Sequence, residues 1–164
     1  PTIDASAMQL SAAPCMRLTT FTDYSLRVLM YLAAHPGRRA RIAELAQAFG
    51  MAENHVVKVV HFLGRAGWLV NVRGHGGGTE LACDPVRIGI GAVVRATEGA
   101  PVLAACFADS RGDCAIAPAC RLRGVLDEAL TAFYAALDRY SLADLVTHRQ
   151  QLARMLLPTR DTTP

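Results

Sequence analysis

The stretch ENHVVKVVHFLGRAGWLVNVRGHGGGTELAC, residues 53–83, decides the fold, because its apolar period changes partway along. Over residues 53–67, Val56, Val59, Val60 and Leu63 recur every three to four positions. That is the stripe of an amphipathic helix, and Gly67 is a natural stop for it. WLVNV (68–72) and TELAC (79–83) then read as two strands around a glycine-rich tip, RGHGGG (73–78). Together they predict a β-hairpin with a flexible end.

Working outward toward the start, Gly50-Met51-Ala52 is a tight turn after RIAELAQAF (41–49), an amphipathic helix with Ile42, Leu45, Ala46 and Phe49 on one face. Before it, TTFTDYSLRVLMYLAA (19–34) reads as a longer helix. Thr19, Thr20 and Thr22 are candidate caps, Asp23 suits the positive N-terminal end, and His35-Pro36-Gly37 stops it. Two helices across a short turn, followed directly by a hairpin, predict a winged helix-turn-helix. The expected fold class is mainly α with a small β-hairpin.

Downstream, VRIGIGAVVRATEG (86–99) predicts a helix with Ile88, Val93 and Val94 inward. RLRGVLDEALTAFYAALDRY (121–140) predicts a long one, with Leu122, Val125, Leu126, Ala129, Leu130, Phe133 and Leu137 on a broad apolar face. That face exceeds what one winged helix can cover, so a dimerisation helix is expected; the competing arrangement folds it back on its own domain. SLAD (141–144) is a capping-box-like start to a last short helix, and the final PTRDTTP reads as frayed. The expected division is a disordered tail over 1–15 with Met16 as a natural start, a DNA-binding domain over 16–84, a connecting helix and cysteine loop over 85–120, a dimerisation helix over 121–147 and a partly helical tail over 148–164.

The 164 residues are 52% hydrophobic and 19% charged, with a formal net charge of +3. The distribution of charge says more. From Met16 to Glu80, seven arginines and one lysine stand against one aspartate and three glutamates. A basic half points to a polyanion partner, although an ordinary solvated surface has the same composition. A recognition helix reads base edges from its first turns. The exposed early positions here are Glu53, Asn54, His55 and Lys58. Asn bonds adenine in bidentate fashion, and Lys reaches guanine or phosphate. Lys58 is the only lysine beside sixteen arginines. His61, one turn on, reads as a structural or backbone contact. In the wing, Arg73 and His75 lie among glycines that permit close approach to a partner, and an arginine there can enter a narrow minor groove. A glycine run could also suggest nucleotide binding, but this one leads into a strand rather than a helix, so that reading fails on context.

No apolar run approaches the roughly 18 residues of a membrane span, and no export signal is evident, so a cytoplasmic protein is expected. Five cysteines in a reducing compartment argue against a disulfide framework. Three of them, Cys106, Cys114 and Cys120, fall in CFADSRGDCAIAPAC (106–120) with the spacing C-x7-C-x5-C. Structural zinc usually takes close pairs of ligands; wide single spacings suit an iron–sulfur cluster, and a fourth ligand must come from elsewhere. A zinc- or thiol-based regulator on the same fold stays open. An enzyme is not expected, because no Cys-His or CxxC arrangement is present. Cys15 and Cys83 are spare thiols, the second at a strand end and packed in the core.

MRLTTFTDYSLRVLMYLA, ENHVVKVVHFL, VRGHGGG and CAIAPACRLRGVLDEALTAF together resemble the NsrR-type nitric-oxide-sensing repressors, part of a larger group of winged-helix regulators that includes the iron–sulfur regulator IscR. The resemblance covers roughly residues 16–145. It implies a homodimeric transcriptional repressor with one iron–sulfur cluster per subunit, four-iron or two-iron, that loses DNA affinity when nitric oxide nitrosylates the cluster. It implies cluster ligands at Cys106, Cys114 and Cys120, with Asp23 of the opposite subunit completing the site. The IscR branch has a histidine three residues after the last cysteine; Arg123 stands here. The first cysteine gap is also longer than in some relatives. The partner implied is a pseudo-palindromic, AT-rich operator duplex.

Overall fold

A computed structural model describes residues 17–74, 76–99 and 120–156. The first described element is helix α1, Thr20–Ala34, whose N-cap is Thr19: its side chain accepts the Thr22 N–H. Helix α2, Ile42–Phe49, and helix α3, Glu53–Arg65, follow. Both end in the same way, on a left-handed glycine. After α2, Met51 N–H reaches Ala46 O at 2.8 Å and Gly50 N–H reaches Gln47 O. After α3, Trp68 N–H reaches Leu63 O at 3.0 Å and Gly67 N–H reaches Gly64 O at 3.1 Å. Such paired bonds satisfy carbonyls a helix end leaves free and turn the chain sharply. The sharp turn at Gly50 sets the angle between α2 and α3; the turn at Gly67 sends the chain straight into the hairpin.

Strands β1, Leu69–Val72, and β2, Gly78–Leu81, pair antiparallel with Leu69 opposite Leu81 and Val72 opposite Gly78. Ala82 N–H to Trp68 O carries the pairing one step further. The residue pair Ala40–Thr79 adds a third rung: each N–H bonds the other's carbonyl, at 2.9 and 2.8 Å. That bridge ties the wing to the start of α2. The architecture is a winged helix-turn-helix, mainly helical with one two-stranded hairpin.

The core sits where α1 crosses α3. Val28, Leu29, Tyr31, Leu45, Val56, Val59 and Leu63 are all fully buried. Fully burying side chains of this kind stabilises by about 1.5–3 kcal/mol each. The α3 stripe expected from the sequence, Val56, Val59, Val60 and Leu63, is the buried face.

Beyond the wing, the expected helix over 86–99 is two elements. A single 3₁₀ turn spans Pro85–Arg87, capped by the Asp84 side chain on Val86 N–H. Helix α4, Ile90–Glu98, starts afterwards. The break has a long-range cause: Leu142 N–H bonds Ile88 O at 2.8 Å and Ile90 N–H bonds Tyr140 O at 2.9 Å. Buried Ile88 is thus held extended between two far segments. Helix α5, Leu122–Leu137, is followed by α6, Leu142–Leu145, and α7, Arg149–Leu156. The capping box read from SLAD is present at Ser141 and Asp144. Helix α7 packs on α1 through Leu152 and Leu156; the segment read as frayed, 158–164, lies outside the described residues.

Candidate nucleic-acid interface and cysteine site

Helix α3 offers one apolar face to the core and one polar face to solvent. Glu53, Asn54, His55 and Lys58 are all exposed, as the helical period requires once Val56, Val59 and Val60 are inward. Lys58 has no ion pair among the described residues. His55 is not isolated: its ring lies 6.1 Å from that of Tyr24 on α1, tilted by 40°. Two turns further along α3, Phe62 meets Phe21 of α1 edge-on at 5.2 Å. Helix α1 therefore braces α3 at two points.

At the wing, Arg73 is exposed beside Gly74, and His75 lies outside the described residues. Gly77 and Gly78 are dictated by crowding. A Cβ on Gly77 would lie 2.5 Å from Val72 O, and one on Gly78 would lie 2.8 Å from Ala40 O. Gly78 also has φ +158°. The base of the wing, the start of α2 and α3 enclose a cavity of about 440 Å³ lined by Arg41, Val60, Asn71 and Gly74, among others.

The acidic residue expected in the cysteine site, Asp23, lies on α1 with its side chain half exposed. Arg27, one turn on, holds it: Nε lies 2.9 Å from one carboxylate oxygen and 3.0 Å from the other. Near it, Glu98 of α4 accepts the Thr19 N–H at 2.8 Å and its hydroxyl at 3.1 Å. Buried Thr22 donates to Thr97 at 2.8 Å. These bonds fasten the start of α1 to the end of α4, from which the chain enters the cysteine segment. Cys120 is half-buried and precedes α5. Cys106 and Cys114 lie outside the described residues. Cys83 is half-buried and packs against the core.

Helix α5 has no buried residue. Its C-terminal half folds back: Phe133, Tyr134 and Leu137 pack against the core. Arg95 of α4 donates to Asp138 at 2.7 Å and stacks on Tyr134 at 4.5 Å. Its N-terminal half stays uncovered, with Leu122 57% and Val125 58% exposed; Leu126 is half-buried and Ala129 exposed. The fold-back arrangement thus holds for the C-terminal half of the helix, and the N-terminal half is left uncovered. Among the described residues no helix is long and apolar enough to cross a membrane.

Sequence reasoning overlooked Arg41. It occupies the N-cap of α2 with no side-chain cap bond, and a cation at a position that favours Ser, Thr, Asp or Asn was the available signal.

Comparison with known proteins matches residues 18–148 to a family model, Rrf2, described as "Iron-dependent Transcriptional regulator". The chain is 44% identical over 142 residues to the HTH-type transcriptional regulator NsrR of Bacillus subtilis (strain 168), a match covering 86% of this chain and 97% of that protein. It is also 44% identical over 146 residues to NsrR of Geobacillus kaustophilus (strain HTA426), covering 88% and 99%. Among solved structures it is similar to CymR (YrzC), the global cysteine regulator of B. subtilis, with TM-score 0.65, 26% identity, and coverage of 81% of this chain and 98% of that one. It has the same fold as T. potens IscR, with TM-score 0.65, 23% identity, and coverage of 83% and 90%.

Proposed function

The chain belongs to the Rrf2 family of transcriptional regulators, and on that premise we propose that it is a homodimeric repressor that reads operator DNA with α3 and the wing and responds to nitric oxide through an iron–sulfur cluster. The observation that carries the proposal is the presence of Cys106, Cys114, Cys120 and Asp23, three thiols and one carboxylate able to ligate a cluster, in a chain 44% identical to NsrR regulators. The exposed polar turns of α3 support the DNA-reading half of it.

In this reading Asn54, His55 and Lys58 face base edges and phosphate, while Arg73 and His75 reach from the wing. The uncovered face of α5, with Leu122, Val125, Leu126 and Ala129, continues through Phe133 and Leu137 to form the dimer interface. The donor set fits a cluster: thiolate is the usual ligand, and a carboxylate oxygen is a harder, more weakly held one. When bound, the cluster would supply an iron open to nitric oxide at the carboxylate position. Cys106, Cys114 and Cys120 would hold it, with Asp23 from the other subunit.

The chain's own residues give the coupling. Asp23 shares α1 with Phe21 and Tyr24, which pack on Phe62 and His55 of α3. A displacement of Asp23 therefore carries the reading helix with it. Arg27, already paired with Asp23, holds the carboxylate in position when it is not a ligand. A change in the spacing of two recognition helices lowers operator affinity.

The test is non-denaturing mass spectrometry of protein purified without oxygen, before and after stepwise nitric oxide, on the native chain and on Asp23→Ala. Two clusters per dimer that are lost with nitric oxide, with an altered response in the variant, support the reading. Zinc alone, or a metal-free dimer, would keep DNA binding and remove nitric oxide. An unchanged response in Asp23→Ala would remove the cross-subunit ligand.

A further inference from the structure

We propose that Arg41, with the cavity at the base of the wing, is an anchoring site for a DNA backbone phosphate, separate from the base-reading positions of α3. The inference rests on the DNA-binding reading above and adds a site to it.

Four observations converge on Arg41. It occupies the N-cap of α2, supplies no capping hydrogen bond, and is exposed. A cation there opposes the positive end of the helix dipole and costs stability, so local stability does not account for its presence. Of the basic residues nearby, Arg38 is paired with Glu44 and Arg39 with Glu80; Arg41 has no ion pair among the described residues. It lines the 440 Å³ cavity together with Gly74, Gly76, Gly77 and Gly78. Glycine leaves such a wall open to the approach of another backbone. Thr79, only 2% exposed, lines the same cavity with its hydroxyl unpartnered among the described residues. A group that is anionic and rich in acceptors suits a lone guanidinium beside unfilled N–H groups of a helix start.

The site is also placed correctly. The Ala40–Thr79 bridge fixes Arg41 to the wing, and Val60 of α3 lines the cavity from the other side. A phosphate held there would set the register of α3 against the duplex without reading sequence, which is the division of labour between backbone and base contacts.

The experiment measures binding of the full chain to two mixed-sequence 30-bp duplexes of different composition across a sodium chloride series. Each phosphate contact contributes about 0.9 to the slope of log K against log salt. Arg41→Ala is expected to weaken both duplexes by the same factor and lower the slope by about 1; Arg41→Lys should retain the slope. Circular dichroism melting of Arg41→Ala should give a midpoint equal to or above that of the native chain, which separates a lost contact from a lost fold. An unchanged slope with a well-folded variant overturns the site. A loss confined to one duplex overturns the phosphate assignment in favour of base reading. No duplex binding by the native chain at any salt overturns the DNA-reading proposal itself.

Discussion

Tyr31 shows how one side chain joins the two helices beneath the reading face. It is fully buried on α1, and its hydroxyl donates to the Glu44 carboxylate of α2. Arg38 pairs with the same carboxylate at 2.7 Å. His35 stacks on the Tyr31 ring at 4.4 Å, and because the Tyr31 carbonyl only accepts, His35 Nδ1, 2.8 Å away, must carry the proton. Burial, and then the hydrogen bond and charge of Glu44, push the Tyr31 phenol up to about 12. The raised value means folding favours the neutral phenol. That stability is fully present below the unfolded value near 10 and is lost as pH climbs toward 12. Tyr31→Phe is expected to cost about 1 kcal/mol at neutral pH and to flatten the alkaline decline. Urea unfolding between pH 8 and 11.5 measures both; parallel declines in the two proteins would show that Tyr31 is not their source. At the wing, Gly78→Ala would set a methyl 2.8 Å from Ala40 O at a strained φ, and it should lower thermal stability while loosening Arg41 as well. A Gly78→Ala protein with native melting would mean that the wing shifts freely.

At the scale of elements, what could be read ahead was what is local. The period of Val56, Val59, Val60 and Leu63 is a property of thirteen consecutive residues of α3, and so are the glycine stops at Gly50 and Gly67. Thr19 and Ser141 cap by bonds spanning three residues. What could not be read depends on distant partners. The 3₁₀ turn at Pro85 and the late start of α4 follow from bonds to Tyr140 and Leu142, fifty or more positions away. The uneven covering of α5 follows from where α4 lies: Gly91 leaves room for Asp138, and a Cβ there would meet its carboxylate at 1.9 Å. The expectation of cysteine ligands rests on a spacing and a resemblance, and Cys106 and Cys114 fall outside the described residues. Ser141→Ala tests an element directly. The Ser141 hydroxyl and N–H hold the Asp144 carboxyl below its ordinary range. Such a depressed acid stabilises above its unfolded pKa and loses that contribution as pH falls through its folded one. The substitution should lower stability at neutral pH and make the acid limb of unfolding shallower; chemical denaturation at pH 7 and pH 3 reads both.

For the whole molecule, the question is what the open half of α5 does in solution. A winged helix that leaves Leu122 and Val125 more than half exposed has apolar surface to bury against another copy. Val125→Glu together with Leu126→Glu should convert a dimer to a monomer in sedimentation velocity while leaving the helical circular dichroism signal intact. A dimer that survives both charges would move the interface elsewhere. Half-site spacing depends on such a pairing, so the same variant should bind two-site duplexes far more weakly than the native chain. The solitary lysine of the sequence, Lys58 on the outer face of α3, has a practical corollary. An amine-directed acylating reagent finds a single ε-amino group among the side chains of this protein, at the centre of the surface assigned to DNA. Its rate of modification, followed as one mass increment in the α3 peptide, would report occupancy of that surface with no engineered probe, and it should fall as duplex is added and, on the proposed reading, recover when nitric oxide is supplied.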